Sequence, residues 1–425
     1  PTAHGKGSAG PVRPRLEILD RALLDRIVAE ALELLLIPGV RVHARIAQEL
    51  LVARGAPVAD GIARIPERLV REALASVPRS FFLYDRAGRP AVEYGGDRVQ
   101  FDPGSSSVHI LDPETLTHRA SRAADLVRLV QVAETLPAYA AQSTAMVCGD
   151  VPTEIGDCYR LFLVLWYSDK PVVTGAFSAA TTQAMIDLLA AESGGLSELV
   201  AKPRAIFDVC PSSPLHWTEF AADNLVQLAR AGVPAEIISV PLAGATAPVT
   251  LAGAVVQHTA ECLTGVVIQQ LARPGAPVVW GGAPAIFDMR SGNAPMGAVE
   301  TVMLEAACSQ VGRSLGLPTH GYLCGGDAKL VDAQAGLETG MAALVGVLAG
   351  INMISGAGML DFLACHSIEK LVLDAEAIEM AQRFGRGIEA HGGSLAVEMF
   401  SKVGLSGEFL KLKETRLLFR QERLH

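Results

Sequence analysis

The chain has 425 residues, of which 50% are hydrophobic and 19% are charged, and its net charge is -9. This composition supports a large buried core, and the length exceeds that of one compact domain unless the domain is a large α/β barrel. The acidic balance is spread along the chain and no basic run alternates with aromatic residues, which argues against a nucleic-acid-binding surface. Seven scattered cysteines without Cys-x-x-Cys spacing argue against a disulfide framework and a ribbon-type zinc site, and they are typical of a reducing cytoplasm.

Residues 1–120 are predicted to form an N-terminal α+β accessory region. Apolar residues at spacings of three and four, followed by Pro or Gly, predict helices over residues 20–37, 44–54 and 67–76. Between residues 80 and 111 the pattern changes to short apolar runs bounded by turn residues, which predicts strands.

Residues 121–425 are predicted to form a (β/α)8 TIM barrel, so the chain belongs to the α/β class. Eight apolar, β-branched runs bounded by Gly or Pro are predicted as strands: 145–148, 172–177, 205–210, 236–240, 278–280, 319–323, 352–355 and 371–373. Helical patterns lie between them, and eight repeats of strand and helix favour a closed barrel over a doubly wound sheet.

Two uncharged windows, 237–260 and 339–360, are long enough to raise the question of a membrane span. The first contains two prolines and the second contains several glycines and an asparagine. Each window is therefore predicted to be a buried helix joined to a strand, and no membrane is expected.

The loops after the predicted strands are expected to carry the chemistry, as in other parallel α/β barrels. Five aromatic side chains lie at or just beyond strand ends and offer ring faces to a cationic head group: Phe177, Trp217, Trp280, Phe287 and Tyr322. Core packing alone explains each of them individually. Three polar residues in or just after predicted strands complete the predicted substrate-binding set: Asp208, His216 and Asn352.

Asp327, Gln334 and Glu338 are the predicted catalytic residues, because they belong, with Lys329 and Asp332, to the polar residues that enter an otherwise uncharged strand–turn–helix unit. Asp327 alone is equally well explained as a helix N-cap. Gln334 and Glu338 are four residues apart on one face of an apolar helix, where polar side chains need partners or a pocket.

A zinc site is the alternative use of the polar residues near strand ends. His216, His320, Cys210 and Cys324 lie there, but their spacing matches no metal motif. We therefore predict no metal site, with satisfied histidines and unreactive thiols instead. Phosphate-loop, dinucleotide, nucleophile-elbow and metalloprotease motifs are also absent from the sequence.

Three long motifs resemble the trimethylamine:corrinoid methyltransferase family. They are Leu242-Ala-Gly-Ala-Thr-Ala-Pro-Val-Thr-Leu-Ala-Gly253, Gln270-Leu-Ala-Arg-Pro-Gly-Ala-Pro-Val-Val-Trp-Gly281 and Gly326-Asp-Ala-Lys-Leu-Val-Asp-Ala-Gln-Ala-Gly-Leu-Glu338. Shorter segments extend the resemblance over most of the chain. It implies a (β/α)8 barrel whose open end meets a cobalamin-carrying partner protein and whose reaction transfers a methyl group from a methylated amine to Co(I).

The chain contains only the twenty standard residues, whereas family members acting on trimethylamine carry pyrrolysine. The sequence therefore resembles the pyrrolysine-free branch, which is similar to glycine betaine methyltransferases. The leading hypothesis is a cytoplasmic, homo-oligomeric enzyme of methylamine and one-carbon metabolism that passes a methyl group from a quaternary amine to a corrinoid-binding protein. Two alternatives remain: tetrahydrofolate as the direct methyl acceptor, and a non-catalytic betaine-binding or scaffold barrel.

Overall fold

The computed structural model describes residues 13–391 and 394–422. The fold is mixed α/β, with helices packed against mainly parallel strands. The N-terminal elements are α1 (Arg21–Leu34), β1 (Val40–Val42), α2 (Arg45–Ala53), β2 (Val58–Ala59), β3 (Ile62–Ala63), α3 (Glu67–Ser76), β4 (Phe81–Tyr84), β5 (Pro90–Tyr94), β6 (Gln100–Pro103), β7 (His109–Leu111) and β8 (His118–Ala120).

Helices and strands then alternate through the middle of the chain. These elements are α4 (Ala123–Thr135), β9 (Gln142–Ser143), α5 (Thr153–Tyr167), β10 (Val172–Gly175), α6 (Ala179–Ser193), α7 (Leu196–Ala201), β11 (Ala205–Val209), β12 (His216–Trp217), α8 (Glu219–Ala231), β13 (Ala235–Ser239), β14 (Leu242–Ala243) and α9 (Leu251–Ala272).

The C-terminal part continues the alternation and ends in short helices. Its elements are β15 (Val278–Gly282), β16 (Ala285–Ile286), α10 (Val299–Ser314), β17 (His320–Tyr322), α11 (Ala333–Ala349), β18 (Met353–Ala357), β19 (Met359–Leu360), β20 (Cys365–His366), α12 (Ile368–Gly385), α13 (Val397–Val403), a 3-10 turn (Phe409–Lys411) and α14 (Lys413–Glu422).

Eight parallel strands form the centre of the fold. Five pair in the order β15, β13, β11, β10, β9, and three pair in the order β17, β18, β6. A parallel bridge between Trp280 and Thr319 connects β15 to the start of β17. On the other side, the Ala140 N–H donates to the carbonyl of Phe101 at 2.9 Å, which places β6 beside β9. The carboxyl ends of these strands therefore point in one direction.

Six of the eight predicted strands are confirmed, with ends that differ by up to two residues. The strand predicted at 145–148 lies earlier, at Gln142–Ser143, and the predicted segment contains only an isolated bridge at Met146. The strand predicted at 371–373 is wrong, because these residues lie inside α12. Within this run Leu371 lies on the buried face of the helix, whereas Val372 and Leu373 are half-exposed. A run of three apolar residues does not distinguish a strand from a helix.

The eighth parallel strand is instead β6, which lies before the predicted domain border at residue 120. β6 pairs with β18, and β7 pairs with β20, so two strands of the predicted accessory region join the C-terminal part. The division into two domains remains a prediction.

A hairpin closes the amino end of the parallel strands. Its strands β4 and β5 pair in antiparallel fashion, and the rings of Phe81 and Tyr94 stack with centroids 5.0 Å apart. Its buried apolar side chains pack against residues at the beginning of four parallel strands: Val173, Ile206, Val279 and Met353. The hairpin thus covers the amino ends of these four strands.

The first uncharged window, 237–260, covers the end of β13, β14 and the first half of α9. This helix is long and apolar enough to cross a membrane. Within the part of the chain that the structure describes, 83% of its most apolar 18-residue window is buried. The helix packs against α1, α3, α8 and α10 and is polar at several buried positions, such as Glu261 and His258. It is thus the central helix of the core.

Candidate active site

Three side chains meet where the parallel strands end. The hydroxyl of Tyr322, the last residue of β17, lies 2.6 Å from Ser105 Oγ and 3.4 Å from Asp208 Oδ2. Asp208 is the fourth residue of β11, and Ser105 follows the end of β6 by two residues. The active sites of parallel α/β folds lie at this end of the strands. The structure thus brings together two of the residues predicted to bind substrate, Asp208 and Tyr322.

Tyr322 is held in position from α10. The Tyr322 N–H donates to Glu305 Oε1 at 3.0 Å, and burial raises the pKa of Glu305 well above its usual range. A Cβ atom on Gly321 would lie 2.9 Å from Glu305 Oε2. The glycine before Tyr322 therefore makes room for this carboxyl group.

A second group of polar side chains lies deeper between the strands. Tyr94 donates to Glu236 Oε1, and Glu236 Oε2 lies 3.4 Å from His320 Nδ1. His320 Nε2 lies 2.8 Å from Ser355 Oγ, and Ser355 donates to Asp102 Oδ1 at 2.5 Å. With Ser355 donating its only proton to Asp102, His320 must donate through Nε2, so its Nδ1 is an acceptor. An acceptor facing Glu236 favours the protonated form of that carboxyl group.

Burial shifts the pKa of every titratable group in this interior. It raises the pKa of Asp208 to about 7 and the pKa values of Asp102 and Glu236 well above their usual range. Burial also lowers the pKa of His320 to about 3, so this imidazole is neutral at physiological pH. No lysine or arginine of the described chain contributes to the shifts of these four groups.

The interior therefore contains carboxyl groups that are not paired with a cationic side chain of the described residues. Asp102 Oδ2, Asp208 Oδ1 and Glu236 Oε2 accept no hydrogen bond from an N–H group or a hydroxyl in residues 13–391 or 394–422. Asp102 and Glu236 are fully buried, whereas Asp208 is only partly buried and lies nearest the open end. Asp208 is thus the carboxyl group that a small molecule entering from this end reaches first.

A buried guanidinium borders the same opening. Arg160 of α5 donates from Nη1 to Ser106 Oγ and from Nη2 to Asp157 Oδ1, both at 3.1 Å. The ring of Phe177 lies 5.0 Å from Arg160 Cζ, and Asp157 also accepts the Phe177 N–H at 2.6 Å. Because Ser106 directly follows Ser105, Arg160 is connected to the Tyr322 group through adjacent residues.

The rim around the opening carries exposed apolar side chains. Phe177 follows β10 and is 60% exposed, Val249 follows β14 and is 75% exposed, and Met289 follows β16 and is 84% exposed. Isolated exposed apolar residues are common, but these three share the loops at one end of the strands. This end is therefore suited to contact with a partly apolar partner.

The predicted catalytic residues are engaged with other parts of the chain. Asp327 accepts the N–H groups of Met296 and Gly297 at 2.7 and 2.9 Å. Glu338 accepts the Asp327 N–H at 2.8 Å and the Gln334 side-chain amide at 2.7 Å, and Gln334 is exposed. These contacts support a positioning role for Asp327 and Glu338, which fix the loop before α10 and the loop after β17. Asp332, rather than Asp327, caps α11, since it accepts the Ala335 N–H.

The two predicted tryptophans lie in the layer between strands and helices. Trp217 and Trp280 are almost completely buried, and Trp280 Nε1 donates to the carbonyl of Cys308 at 3.0 Å. Each ring packs on a helix glycine: a Cβ on Gly265 would lie 2.6 Å from Trp217, and one on Gly312 would lie 2.5 Å from Trp280. Their positions are those of core residues.

The other predicted residues are dispersed. His216 lies in β12, which pairs with β1, and its ring is 6.1 Å from that of His43. Phe287 follows β16 and its N–H donates to the carbonyl of Ala243. Asn352 precedes β18 at the opposite, amino end of the strands, where its side chain donates to the carbonyl of Arg98 at 2.7 Å.

The residues that complete the interior were not among the predicted ones. Glu236 interrupts the apolar strand β13, and an acidic residue in a buried strand is a signal that could have identified it. Asp102 lies in the mixed segment Gln-Phe-Asp-Pro, which gives no such signal. Ser105 and Arg160 gave no such signal. Within the described residues, no group of three or more His, Cys, Asp or Glu side chains is arranged to hold a metal ion.

Comparison with known proteins identifies the class of this chain. It matches the family model described as trimethylamine methyltransferase (MTTB) over residues 8–423. The fold resembles the crystal structure of the Methanosarcina barkeri monomethylamine methyltransferase (MtmB), with a TM-score of 0.61 over 87% of this chain and 75% of that chain; at 13% identity this likeness concerns the fold alone.

The chain is a methyltransferase, and it belongs to the trimethylamine methyltransferase (MTTB) family. It is 34% identical over 410 residues to trimethylamine methyltransferase MttB2 of Methanosarcina mazei, covering 93% of this chain and 81% of that protein. It is 30% identical over 396 residues to trimethylamine methyltransferase MttB of Desulfitobacterium hafniense, covering 92% and 79%. It is also 28% identical over 415 residues to a glycine betaine methyltransferase of D. hafniense, covering 97% and 86%. The resemblance seen in the sequence is confirmed.

Proposed function

We propose that this methyltransferase removes a methyl group from a quaternary amine, glycine betaine or a related betaine, and passes it to the Co(I) corrinoid of a partner protein. The observation that carries the proposal is Asp208, a carboxyl group at the open end of the strands that has no cationic partner among the described residues. A buried carboxylate without a partner is costly, and a bound cation removes that cost.

A quaternary ammonium suits this site better than a primary or secondary ammonium. It has no N–H to donate, so it is bound by charge and by contact with ring faces. Tyr322 supplies a ring beside Asp208, and Phe177 lies at the rim. We assign substrate contact to these three of the predicted residues.

The guanidinium of Arg160 favours a betaine over trimethylamine. A betaine carries a carboxylate a few bonds from its ammonium, and Arg160 is linked to the Asp208 site through Ser106, Ser105 and Tyr322. The guanidinium of Arg160 donates to Asp157 through Nη2, and its planar group carries further N–H donors for a ligand carboxylate. The two charges of the zwitterion thus match two charged groups at one opening.

The proposed reaction requires little chemical activation by the protein. The leaving group from a quaternary amine is a neutral amine, so no covalent activation of the substrate is needed. The residues of the site have to orient one methyl group toward the opening and exclude water around it, and fixed, buried dipoles do both. Asp327 and Glu338 contribute by fixing the loops at this end of the strands.

The methyl acceptor is proposed to approach from the rim. A Co(I) corrinoid supplies the nucleophile that accepts the methyl group. The exposed side chains of Phe177, Val249 and Met289 fit contact with such a large, partly apolar group and with the protein that carries it.

We also propose that the eight parallel strands close into a (β/α)8 barrel, supported by the Trp280–Thr319 bridge on one side and the Ala140–Phe101 hydrogen bond on the other. The enzyme is proposed to work in the cytoplasm as a homo-oligomer. All seven cysteines are free, which agrees with a reducing compartment.

Methylation assays test the proposal against its alternatives. The purified protein is mixed with glycine betaine and either reduced cobalamin or tetrahydrofolate, and dimethylglycine is measured; trimethylamine and choline serve as comparison substrates. Dimethylglycine formed only with cobalamin supports the proposal, and formation only with tetrahydrofolate replaces the corrinoid by a folate acceptor. Betaine binding by calorimetry without methylation of either acceptor, even when a corrinoid protein is added, indicates a binding or scaffold protein.

A further inference from the structure

A short left-handed turn follows β18 at the open end of the parallel strands. Asp361, Phe362 and Leu363 lie between β19 and β20, and their φ angles are 52°, 56° and 69°. A left-handed backbone is unfavourable for residues with a Cβ atom; aspartate tolerates it, whereas bulky side chains rarely adopt it. In residues 13–391 and 394–422, no other three successive non-glycine residues share this conformation. Contacts with the surrounding structure must therefore hold the turn in place.

Asp361 fastens the turn to two other elements. Its carboxylate pairs with the Lys329 ammonium, and its Oδ2 lies 3.3 Å from His118 Nδ1. His118 Nε2 lies 2.8 Å from the Lys329 carbonyl, so this nitrogen carries a proton and donates it. The Asp361 N–H donates to the carbonyl of Ala328 at 3.0 Å. Asp361 thus joins the turn to the loop after β17 and to β8.

Lys329 also holds the second residue of the turn. Its Nζ lies 3.8 Å from the centroid of the Phe362 ring, within the range of a cation–π contact. The Phe362 N–H donates to the carbonyl of Gly326 at 3.2 Å. The side chains of Lys329 and Asp361 are 55% and 28% exposed. Replacing either of them therefore removes these contacts without opening a cavity in the core.

The third residue of the turn reaches the candidate active site. Leu363 packs against the buried apolar cluster that contains Tyr322 and Ile238. It also lies over Gly325, where an added Cβ atom would clash with Leu363 Cδ2. On the other side, Glu305 of α10 accepts the Tyr322 N–H. Tyr322 is thus held by α10 and by the cluster on which the turn packs.

We propose that Asp361 is a positioning residue of the active site: by fastening the left-handed turn, it keeps Leu363 against the cluster around Tyr322. The Tyr322 hydroxyl lies 3.4 Å from Asp208 Oδ2, near the limit of a hydrogen bond, so a small displacement of the ring breaks this contact. Asp361 acts through Tyr322 and is assigned no contact with the substrate. The effect on betaine binding rests on the function proposed above, whereas the effect on Tyr322 does not.

An exposed ion pair usually contributes little to stability. The Asp361–Lys329 pair is instead expected to act on geometry, because the turn that it holds is unfavourable on its own. Its loss should therefore be seen at Tyr322 rather than in the melting temperature of the whole fold.

Asp361→Ala tests the proposal by fluorine NMR and calorimetry. The substitution removes both side-chain contacts and leaves a Cβ atom in the left-handed turn, so the turn is expected to leave its position. The chain has six tyrosines, and in protein labelled with fluorotyrosine the Tyr322 resonance is assigned by its absence from Tyr322→Phe. This resonance is expected to shift. The dissociation constant of glycine betaine is expected to rise about tenfold, because a displaced ring loses its contact with the ammonium.

Asp361→Asn is the conservative variant. Asparagine tolerates the left-handed conformation, its carbonyl accepts from Lys329, and its amide donates to His118 Nδ1. It is therefore expected to restore the wild-type resonance and an affinity within about threefold of wild type. Lys329→Ala removes the other member of the pair and is expected to shift the resonance as Asp361→Ala does, which keeps the test valid if Asp361→Ala folds poorly.

Asp60→Ala is the matched control. Asp60 also has a φ angle of 52°, but it lies in the exposed turn between β2 and β3. Its replacement puts the same strain into a turn remote from Tyr322, so the Tyr322 resonance and the affinity are expected to stay as in wild type.

The outcomes separate this proposal from the proposed function. An unchanged Tyr322 resonance in both Asp361→Ala and Lys329→Ala overturns the proposal, as does the same shift in Asp60→Ala or a failure of Asp361→Asn to restore it. A shifted resonance with unchanged betaine affinity overturns the connection between the turn and substrate binding. A wild-type chain that does not bind betaine overturns the proposed function, and the fluorine spectra then still decide whether Asp361 positions Tyr322.

Discussion

The pH dependence of betaine binding is a direct consequence of the Asp208 environment. Burial raises the pKa of Asp208 to about 7, and only its ionised form attracts an ammonium. The ionised fraction is about 0.9 at pH 8 and about 0.09 at pH 6, and the apparent dissociation constant scales inversely with this fraction. The dissociation constant of glycine betaine is therefore expected to rise about tenfold between pH 8 and pH 6.

Asp208→Asn separates this effect from the titration of other groups. The substitution removes the charge that faces the ammonium, which is expected to weaken binding at pH 8 by about 2–5 kcal/mol, or about 30-fold to several thousand-fold. The remaining binding should no longer change between pH 6 and pH 8. Isothermal titration calorimetry with glycine betaine measures both quantities.

Asp288→Asn is the matched control, because Asp288 is a carboxylate in a loop at the same end of the strands whose pKa is lowered by hydrogen bonds from the Arg290 backbone and the Ser291 hydroxyl. It should retain the wild-type affinity and pH dependence. Wild-type binding that is constant from pH 6 to pH 8, or equal affinities of wild type and Asp208→Asn, would refute the assignment of Asp208 as the cation partner.

Four further results are expected. Tyr322→Phe removes a hydroxyl that lowers the pKa of Asp208, so the midpoint of the pH profile should move above 7 with little change in melting temperature; an unchanged midpoint contradicts the contact. Glu338→Ala should lower the free energy of unfolding by about 1–3 kcal/mol in denaturant titrations, since it leaves the Asp327 N–H without its acceptor, and a lost turnover at unchanged stability would instead indicate direct catalysis. Gly312→Ala should cost about 1–3 kcal/mol through overpacking against Trp280, whereas the control Gly336→Ala, with no atom within 4 Å of the added Cβ, should not destabilise. Stability should also fall as pH rises from about 4 towards 7, because folding favours neutral Asp208 while the unfolded chain ionises it near pH 4, and Asp208→Asn should reduce this slope.

The alternation of strands and helices could be predicted because it depends on local patterns. Apolar, β-branched runs bounded by Gly or Pro identified six parallel strands, and the carboxyl ends of two of them led to Asp208 and Tyr322. The failures concern short runs. Residues 371–373 have the apolar character of a strand, but the N-cap of Ser367 and the contact with α11 make them helical. The strand at Gln100–Pro103 contains Asp102, whose charge hides it from a search for apolar runs.

The role of a polar side chain could not be predicted from its position in the sequence. Glu338 and Asp327 stood out because they are charged within an apolar unit, yet each is satisfied by backbone N–H groups of neighbouring loops. Trp217 ends β12, whereas Trp280 lies in the middle of β15, and both rings pack against glycines of α9 and α10 in the helix layer. Which neighbour a side chain meets depends on residues distant in the sequence, and a periodic pattern does not specify them.

The buried carboxyl groups connect the stability of the fold to its function. Burial raises the pKa values of Asp102 and Glu236 well above their usual range, which favours their neutral forms. Asp208 differs because it is only partly buried, at the open end of the strands. With a pKa of about 7, its carboxyl group ionises readily when a cation binds beside it. A fully exposed carboxylate would bind a quaternary ammonium weakly because water screens the pair, and a fully buried one would stay neutral. Because Asp208 lies between these limits, binding of the cationic substrate favours its ionised form, and the resulting ion pair holds the substrate in the site.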